Sequence, residues 1–321
     1  MSVQPLSLSQ SLQMLTPAMR GEIERMAAAG LQPLYTLDAA AAKASEAKFL
    51  GLLNMPKIEL ARVEDFTLTA RDGYPIAARL YADSHDPKLP ALVYYHGGGF
   101  TLGSIASHDG VCRQIARHGG TAVVSIDYRL APQWRFPTAV HDAWDALEAL
   151  ARNGRHYGID PERLSVGGDS AGGTLAAVSA IQARDAGIAL ALQVLIYPST
   201  AAYQDTDSHQ RFTHGPVLDK RLIDWLFAHY IDWKDRADWR FAPLRAEDVE
   251  GVAPAWIGLA ECDPLVDEGV QYADKLRAAG VPVQLEIYRG VIHDFIRLGH
   301  ALPEAQQLYA AVAAALPKNI G

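Results

Sequence analysis

Hydrophobic and polar positions along the chain predict strands that alternate with helices over most of its length. Residues 63–69 and 76–81 alternate as strands around Asp72-Gly73, a pair that favours a hairpin turn. Beyond this hairpin, continuous apolar runs typical of buried strands alternate with segments of helical spacing. The clearest helices are predicted over residues 111–117, 139–152, 175–184, 270–279 and 303–316. This alternation favours a mostly parallel sheet covered by helices on both faces.

Two segments depart from that alternation. Residues 1–50 have apolar positions at helical spacing and are rich in helix formers, and Pro56 marks a break after them. Residues 199–244 contain no clean strand but are rich in large aromatic side chains, most of which we expect to pack this segment on the core. These residues are Phe212, Trp225, Phe227, Tyr230, Trp233, Trp239 and Phe241.

Composition and charge narrow the class of protein. The chain has 321 residues, of which 49% are hydrophobic, and can bury one large core. Its 37 acidic and 29 basic residues give a formal net charge of −8, which argues against nucleic acid or an anionic membrane as the main partner. The two cysteines, Cys112 and Cys262, flank predicted core elements and are expected to be buried free thiols. No His or Cys spacing typical of a zinc site occurs, so no metal is expected.

The N-terminal segment has no basic n-region of the kind that begins a signal peptide. Its first basic residue is Arg20, and Pro5 and Pro17 interrupt it, so no signal peptide is expected. No uninterrupted apolar stretch reaches the length that a bilayer span requires. We therefore expect a cytoplasmic protein. A homodimer is one of the assemblies that a single sequence leaves open.

A serine nucleophile is predicted at Ser170, inside the pentapeptide G-D-S-A-G at residues 168–172. A strand-like run at residues 163–167 precedes it, and a helix-like run at residues 174–184 follows. A sharp turn between a strand and a helix presents a hydroxyl nucleophile, and glycines on either side leave room for that turn. The pentapeptide alone is also compatible with a serine at an ordinary helix start.

Three consecutive glycines follow the apolar run at residues 91–95, within the sequence H-G-G-G-F at residues 96–100. Backbone without side chains can direct its N–H groups at a small anion, such as the oxygen that becomes negative in ester hydrolysis. A flexible turn and a nucleotide-phosphate loop are the alternatives. The phosphate loop fails in detail, because neither G-x-G-x-x-G nor a Walker A lysine pattern occurs here.

Asp263 and His293 are the predicted partners of Ser170. Asp263 comes after the apolar run at residues 255–259, and His293 comes after a strand-like run at residues 283–288. A lone Asp or His carries little information. The order Ser, Asp, His, however, is that of α/β-hydrolases and differs from the orders of chymotrypsin and subtilisin. Three such residues, each after a predicted strand and with a glycine loop upstream, predict a catalytic triad.

Together these motifs resemble the hormone-sensitive-lipase-like group of bacterial carboxylesterases, from about residue 50 to residue 321. The resemblance rests on H-G-G-G-F (96–100), D-Y-R-L-A-P (127–132), G-D-S-A-G-G (168–173), Y-P (197–198), D-P-L-V-D-E-G (263–269) and I-H-D-F (292–295). It implies that Ser170 is the nucleophile, with Asp263 and His293 as its partners. It also implies that the backbone of Gly98, Gly99 and Ala171 donates to the oxyanion.

The resemblance further implies an α/β-hydrolase fold with a helical cap that roofs the nucleophile. The catalytic core is expected over residues 51–198 and 245–321, and the cap over residues 1–50 and 199–244. A few aromatic cap residues should line an apolar pocket. The implied activity is hydrolysis of a small-molecule substrate, a short- to medium-chain acyl ester, without a cofactor. The alternatives are the same machinery on a thioester, lactone or activated amide, a lipase acting on insoluble lipid, and a non-catalytic small-molecule receptor.

The chain departs from the pattern of this family at two positions. Gln133 stands where the family often has Glu, which puts a charge-based role there in doubt. Asp294 stands directly after His293, where the family usually has Gly. A carboxylate that faces the imidazole would raise the pKa of His293, whereas one that faces solvent would do little. We favour the solvent orientation, because a competing carboxylate could draw the imidazole away from Asp263.

Overall fold

The computed structural model describes residues 4–30, 32–53 and 57–318. Within these residues, eight strands form one sheet. They are β1 (Arg62–Thr69), β2 (Pro75–Ala82), β3 (Leu89–Tyr95), β4 (Ala122–Asp127), β5 (Ile159–Asp169), β6 (Gln193–Ile196), β7 (Ala255–Cys262) and β8 (Val283–Ile292). The predicted hairpin is confirmed, because β1 and β2 pair antiparallel on either side of Asp72-Gly73.

The sheet is mostly parallel, as predicted. Its strand order is β1-β2-β4-β3-β5-β6-β7-β8. Strand β2 pairs antiparallel with both β1 and β4, whereas the pairings from β4 through β8 are all parallel. Parallel strands end at the same edge of a sheet, and the loops after β3, β5, β7 and β8 all leave from that edge. In open α/β sheets, ligands bind at this edge.

Helices alternate with the strands as the pattern predicts. They are α1 (Leu8–Met14), α2 (Pro17–Ala28), α3 (Ala39–Leu53), α4 (Asp109–Gly119), α5 (Thr138–Asn153), α6 (Ala171–Asp185), α7 (Asp207–Arg211), α8 (Lys220–Tyr230), α9 (Val266–Ala278) and α10 (Pro303–Ala315). The five clearest predicted helices coincide with α4, α5, α6, α9 and α10 to within a few residues. Helix α4 packs with α10, and α5 packs with α6. In the described part of the chain, no helix is long and apolar enough to cross a bilayer.

The N-terminal segment is helical, as predicted, but it is divided into several pieces. The Thr16 side chain accepts a backbone hydrogen bond at the start of α2, and Pro17 is the first residue of that helix. A 3₁₀ turn at Leu34–Thr36 separates α2 from α3. Helix α3 ends at Leu53, slightly past the domain boundary expected at residue 50. The break predicted at Pro56 lies outside the described residues.

Residues 199–244 are all described and contain helices but no strand, as predicted. This segment contacts the N-terminal segment. The Leu6 N–H donates to the Arg211 C=O at 2.9 Å, and the Arg221 guanidinium lies 4.6 Å from the centre of the Tyr35 ring. The two segments that flank the core in sequence are therefore neighbours in space.

The aromatic residues of the 199–244 segment mostly pack inward, as expected. Tyr230 stacks on Phe100, with 4.1 Å between ring centres, and Phe227 meets Phe241 edge to face at 4.9 Å. Trp233 is the contrast, because 65% of it is exposed. Since Phe100 directly follows the three glycines, the segment rests on the end of the glycine loop.

A buried ion pair joins the D-Y-R-L-A-P turn to α5. The Arg129 guanidinium donates to the two Asp142 oxygens at 2.8 and 2.6 Å, and the Arg129 backbone N–H donates to the same carboxylate at 2.9 Å. The Asp142 side chain is fully buried. Asp72 also accepts from Arg129, at 2.7 Å, but 51% of its side chain is exposed. The guanidinium lies over the rings of Tyr74 and Trp134, at 4.5 and 4.8 Å from their centres.

Asp142→Ala is expected to lower the free energy of unfolding by about 3–5 kcal/mol, because it leaves a buried guanidinium without its closest counter-charge. Asp72→Ala removes an exposed partner of the same guanidinium and is expected to cost far less, because water already screens that pair. Urea unfolding of both variants, followed by circular dichroism, measures the difference. Equal losses would contradict the assignment of Asp142 as the stabilising partner.

Candidate active site

Ser170 occupies a sharp turn between β5 and α6. Its backbone φ is 53°, in the left-handed region that residues other than glycine rarely adopt. The Ser170 N–H donates to the Ile196 C=O at 2.9 Å, which ties the turn to β6. A Cβ on Gly172 would overlap the Tyr95 C=O, and one on Gly168 would lie 2.5 Å from the Gly172 carbonyl carbon. The turn therefore requires glycine on both sides, as predicted.

Ser170, His293 and Asp263 form a continuous chain of hydrogen bonds. Nε2 of His293 lies 2.9 Å from Oγ of Ser170, and Nδ1 of His293 lies 2.6 Å from Oδ2 of Asp263. The other Asp263 oxygen accepts the Leu265 N–H at 2.9 Å, which orients the carboxylate just after β7. Asp263 is fully buried and His293 nearly so. The structure thus brings together the three side chains that the sequence singles out.

The surroundings of His293 favour its charged form. Burial alone would lower the pKa of the imidazole, but the Asp263 carboxylate and, less strongly, Asp294 raise this pKa above its ordinary value. The Tyr197 ring packs against the imidazole with 4.5 Å between ring centres. Because Nδ1 donates to a carboxylate, the neutral imidazole presents a lone pair on Nε2 to the Ser170 hydroxyl. This arrangement can accept a proton from Ser170.

The glycine loop after β3 packs against the β5–α6 turn. The Gly97 N–H donates to the Asp169 carboxylate at 3.1 Å. Gly98 and Gly99 have φ values of 113° and 59°, which favour glycine. Among the described residues, the N–H groups of Gly98, Gly99 and Ala171 have no protein acceptor. Unpaired backbone donors on a loop and at a helix start can bind a small anion.

Asp294 is bound by a side chain that the sequence did not indicate. Its carboxylate accepts a hydrogen bond from Nη1 of Arg297 at 3.0 Å, and 31% of its side chain is exposed. Arg297 is buried, and the same Nη1 lies 3.5 Å from Oε1 of Glu46 on α3. Oε2 of Glu46 accepts the Gly103 N–H at 2.9 Å. The charge beside His293 is therefore paired with a guanidinium rather than turned to solvent.

Comparison with known proteins agrees with this geometry. Residues 92–297 match the family model described as alpha/beta hydrolase fold. The chain is 42% identical over 294 residues to the ethyl acetate hydrolase of Pseudomonas putida, an alignment that covers 90% of this chain and 92% of that protein. It is 40% identical over 254 residues to esterase LipI of Mycobacterium tuberculosis, covering 77% of this chain and 78% of that protein. The chain belongs to the hormone-sensitive-lipase-like carboxylesterases.

Solved structures of related esterases have the same fold. An esterase of the archaeon Pyrobaculum calidifontis matches with a TM-score of 0.88 and 40% identity, over 94% of this chain and 97% of that one. An ester hydrolase from the metagenome of Lake Arreo, in complex with a bipyridine phosphonate derivative, matches with a TM-score of 0.89 and 38% identity, over 94% and 98%. The predicted family and the predicted α/β-hydrolase fold are confirmed.

The other side chains considered in this carboxylesterase-family chain are less suited to act as nucleophiles or metal ligands. Cys112 and Cys262 are buried free thiols, as predicted. Burial raises the pKa of Cys262 to about 12, so its thiolate is scarce at neutral pH and it is a poor nucleophile. Gln133 is exposed. Across the residues described, no three His, Cys, Asp or Glu side chains are grouped so that they could hold a metal ion.

Several buried polar contacts around the site were not anticipated from the sequence. Asp169 lies inside the pentapeptide, and its carboxylate contacts Tyr94 and His108 at 2.6 and 3.1 Å. Glu268 lies 3.3 Å from His209 and accepts backbone N–H groups at the start of the 199–244 segment. In the sequence, Asp169 and Glu268 are marked only by their positions inside the G-D-S-A-G-G and D-P-L-V-D-E-G motifs.

The pairing of Asp294 with Arg297 predicts how the pKa of His293 responds to substitution. Asp294→Asn removes a charge that raises this pKa, so the pKa should fall, and asparagine tolerates the φ of 71° at this position. Arg297→Gln exposes the imidazole to the uncompensated Asp294 charge, so the pKa should rise. The double variant should lie between the two. NMR titration of the His293 Cε1 proton measures each value, and identical curves for all proteins would show that Asp294 does not tune the imidazole.

Proposed function

We propose that this chain hydrolyses carboxylic esters, with Ser170 as nucleophile, His293 as general base and Asp263 as the group that orients the imidazole. The observation that carries the proposal is the hydrogen-bond chain Ser170 Oγ–His293–Asp263, at 2.9 and 2.6 Å. The relatives support it, since one is named an ethyl acetate hydrolase and another an esterase.

The reaction begins when Ser170 Oγ attacks the ester carbonyl carbon and His293 Nε2 takes the hydroxyl proton. Asp263 stabilises the imidazolium that forms, in keeping with the raised pKa of His293. The tetrahedral intermediate then collapses, the alcohol leaves with the proton from His293, and Ser170 is left acylated. A water molecule gives a proton to His293 and attacks the acyl carbon, after which the acid leaves and Ser170 regains its proton.

We assign the stabilisation of the oxyanion to the backbone N–H groups of Gly98, Gly99 and Ala171. These donors lack a protein acceptor among the described residues, so they are available to an incoming oxygen. A donor of this kind is worth roughly 3–4 kcal/mol in the transition state. Ala171 is the first residue of α6, so the positive end of the helix dipole adds to the same stabilisation.

The range of substrates depends on which residues cover the backbone N–H groups of Gly98, Gly99 and Ala171. We infer that residues 1–50 and 199–244 form a helical cap on the core of residues 51–198 and 245–321. Leu226 of α8 supports this cover, because a Cβ on Gly99 would lie 2.6 Å from Cδ1 of Leu226. An apolar cap in contact with the oxyanion loop suits short- to medium-chain acyl esters.

Ser170→Ala is expected to lower kcat for p-nitrophenyl butyrate by about 10⁶-fold, as loss of the nucleophile does in a comparable triad. An organophosphate should label Ser170, as mass spectrometry of the modified peptide would show. Cys262→Ala is the matched control, because it lies beside Asp263 and should keep normal turnover. Appreciable hydrolysis by Ser170→Ala would refute the assignment. If the unsubstituted chain bound esters without turning them over, a receptor role would replace the proposal.

Soluble esters with short to medium acyl chains are expected to be hydrolysed faster than emulsified long-chain triglyceride, because a closed apolar cap limits the chain length that fits. The measurement compares kcat/KM across p-nitrophenyl esters from acetate to palmitate and the rate on emulsified triolein. Leu226→Ala removes bulk beside Gly99 and should move the preferred acyl length upward. Faster hydrolysis of triolein than of soluble butyrate esters would instead support a lipase.

A further inference from the structure

A cluster of polar side chains lies directly behind the Ser170 turn and takes no part in the proton transfers described above. Asp169, the last residue of β5, is fully buried. Its Oδ1 accepts the Tyr94 hydroxyl at 2.6 Å and the Gly97 N–H at 3.1 Å. Its Oδ2 lies 3.1 Å from Nε2 of His108, whose side chain is 1% exposed. One carboxylate therefore joins β3, the glycine loop and the turn that precedes α4.

The two side-chain contacts of His108 favour a proton on both ring nitrogens. Nδ1 lies 2.8 Å from the Ser107 hydroxyl. That hydroxyl donates its single proton to the Ser104 C=O at 2.8 Å and accepts the Ser104 N–H at 2.8 Å, so it accepts from Nδ1 as well. Nε2 faces the carboxylate of Asp169, which in its ionised form can only accept. The Gly97 N–H also lies 3.4 Å from Nε2, but its shorter hydrogen bond, at 3.1 Å, is to Asp169. The imidazolium is the form of the ring that can donate to both Ser107 and Asp169.

The charge of Asp169 agrees with this assignment. Burial alone would raise the pKa of its carboxyl, but the attraction of His108, with hydrogen bonds from His108 and Tyr94, lowers this pKa to about 2. The ring of His96 lies 5.7 Å from that of His108, and burial lowers the pKa of His96, which favours its neutral form. Asp169 and His108 therefore form a buried ion pair of zero net charge.

The pair holds two parts of the proposed active site against each other. Asp169 immediately precedes Ser170 in the chain, and Gly97 immediately precedes Gly98. A Cβ on Gly97 would overlap Oδ2 of Asp169 and lie 3.1 Å from its Cγ. The loop therefore approaches the carboxylate more closely than any residue with a side chain would allow, and its hydrogen bond sets the distance between the nucleophile and the oxyanion donors.

An uncompensated carboxylate at this position would oppose catalysis. The oxyanion carries negative charge beside Gly98, next to the residue that Asp169 binds, and like charges repel strongly where water is excluded. The imidazolium cancels that repulsion. A neutral amide in place of His108 could make the same hydrogen bonds. A purely structural role would therefore not require the positive charge of His108.

We propose that Asp169 and His108 are positioning residues for the reaction. Their ion pair fixes the glycine loop against the Ser170 turn and keeps the space behind the oxyanion electrically neutral. This inference rests on the proposed function, because it concerns the same transition state.

Three variants separate charge from geometry. His108→Gln can still donate a hydrogen bond to Asp169 but carries no charge, so kcat should fall about 10²-fold, close to the effect of losing an oxyanion donor, with KM little changed. Asp169→Asn with His108→Gln restores a neutral pair and should recover about tenfold in kcat over His108→Gln alone. Tyr94→Phe removes a hydrogen bond to Asp169 without changing any charge, and its kcat should stay within about threefold of the unsubstituted value.

Binding of a boronic acid that forms a tetrahedral adduct with Ser170 gives a second measurement. Its affinity should fall in parallel with kcat across the variants, whereas KM should not. The inference is overturned if His108→Gln leaves kcat and boronate affinity unchanged. It is also overturned if the double variant is no better than His108→Gln, because loss of a structural contact alone would give that result. Circular dichroism and thermal melting show whether each variant is folded.

The charge of His108 can be measured without any substitution or turnover. In the unsubstituted chain labelled with ¹⁵N-histidine, both ring nitrogens of His108 should show the shifts of protonated nitrogens under the conditions of the activity assay, because each faces an acceptor. Neutral-imidazole shifts in an active esterase would overturn this inference alone. A chain with no ester hydrolysis and no labelling of Ser170 would instead overturn the proposed function, whatever the charge of His108.

Discussion

The left-handed backbone of Ser170 is the constraint on which the rest of the site depends. Such a conformation costs about 1–3 kcal/mol and persists only where the surroundings enforce it. Here the Ser170 N–H donates to β6, the Ser170 C=O accepts the Thr174 N–H of the first turn of α6 at 3.0 Å, and Gly172 packs on the end of β3. The three central strands and one helix together hold a hydroxyl where no regular element would place it.

The parallel sheet explains how residues distant in sequence reach that hydroxyl. Ser170 and His293 are separated by 123 positions, yet both follow strands that end at one edge. Short loops after β7 and β8 then need only to direct Asp263 and His293 inward. The sheet brings the two loops together, and the loops carry Asp263 and His293. The side chains packed against these loops, such as Tyr197 against His293, therefore determine how well the two residues are aligned.

Features with a local signature could be predicted from the sequence. The hairpin at Asp72-Gly73, the long helices and the order of the three candidate catalytic residues all follow from spacing or from turn chemistry. The family resemblance, which the comparisons confirm, added Gly98, Gly99 and Ala171 to the predicted site as oxyanion donors. Their role remains a prediction. The length of α3 and the division of the N-terminal segment were harder to predict from the sequence, because residues that favour helices continue across the points where the helices end.

Pairings between distant charges could not be predicted. The sequence offers 37 acidic residues, and nothing in its pattern indicates that Arg297 meets Glu46, 251 positions away. The same holds for Asp169 and His108, which are 61 positions apart. Their partners depend on the strand order and on how loops pack at the sheet edge, which is information that no single segment contains.

The position of Glu46 early in the chain affects the order in which contacts can form while the protein is synthesised. Glu46 and Arg297 are 251 positions apart, so α3 leaves the ribosome long before its buried partner. The Gly103 N–H becomes available early, whereas the guanidinium arrives after β8, together with His293. The nascent chain can therefore build most of its sheet without a working site. The contact of Glu46 with Arg297 forms only when the last part of the chain has emerged.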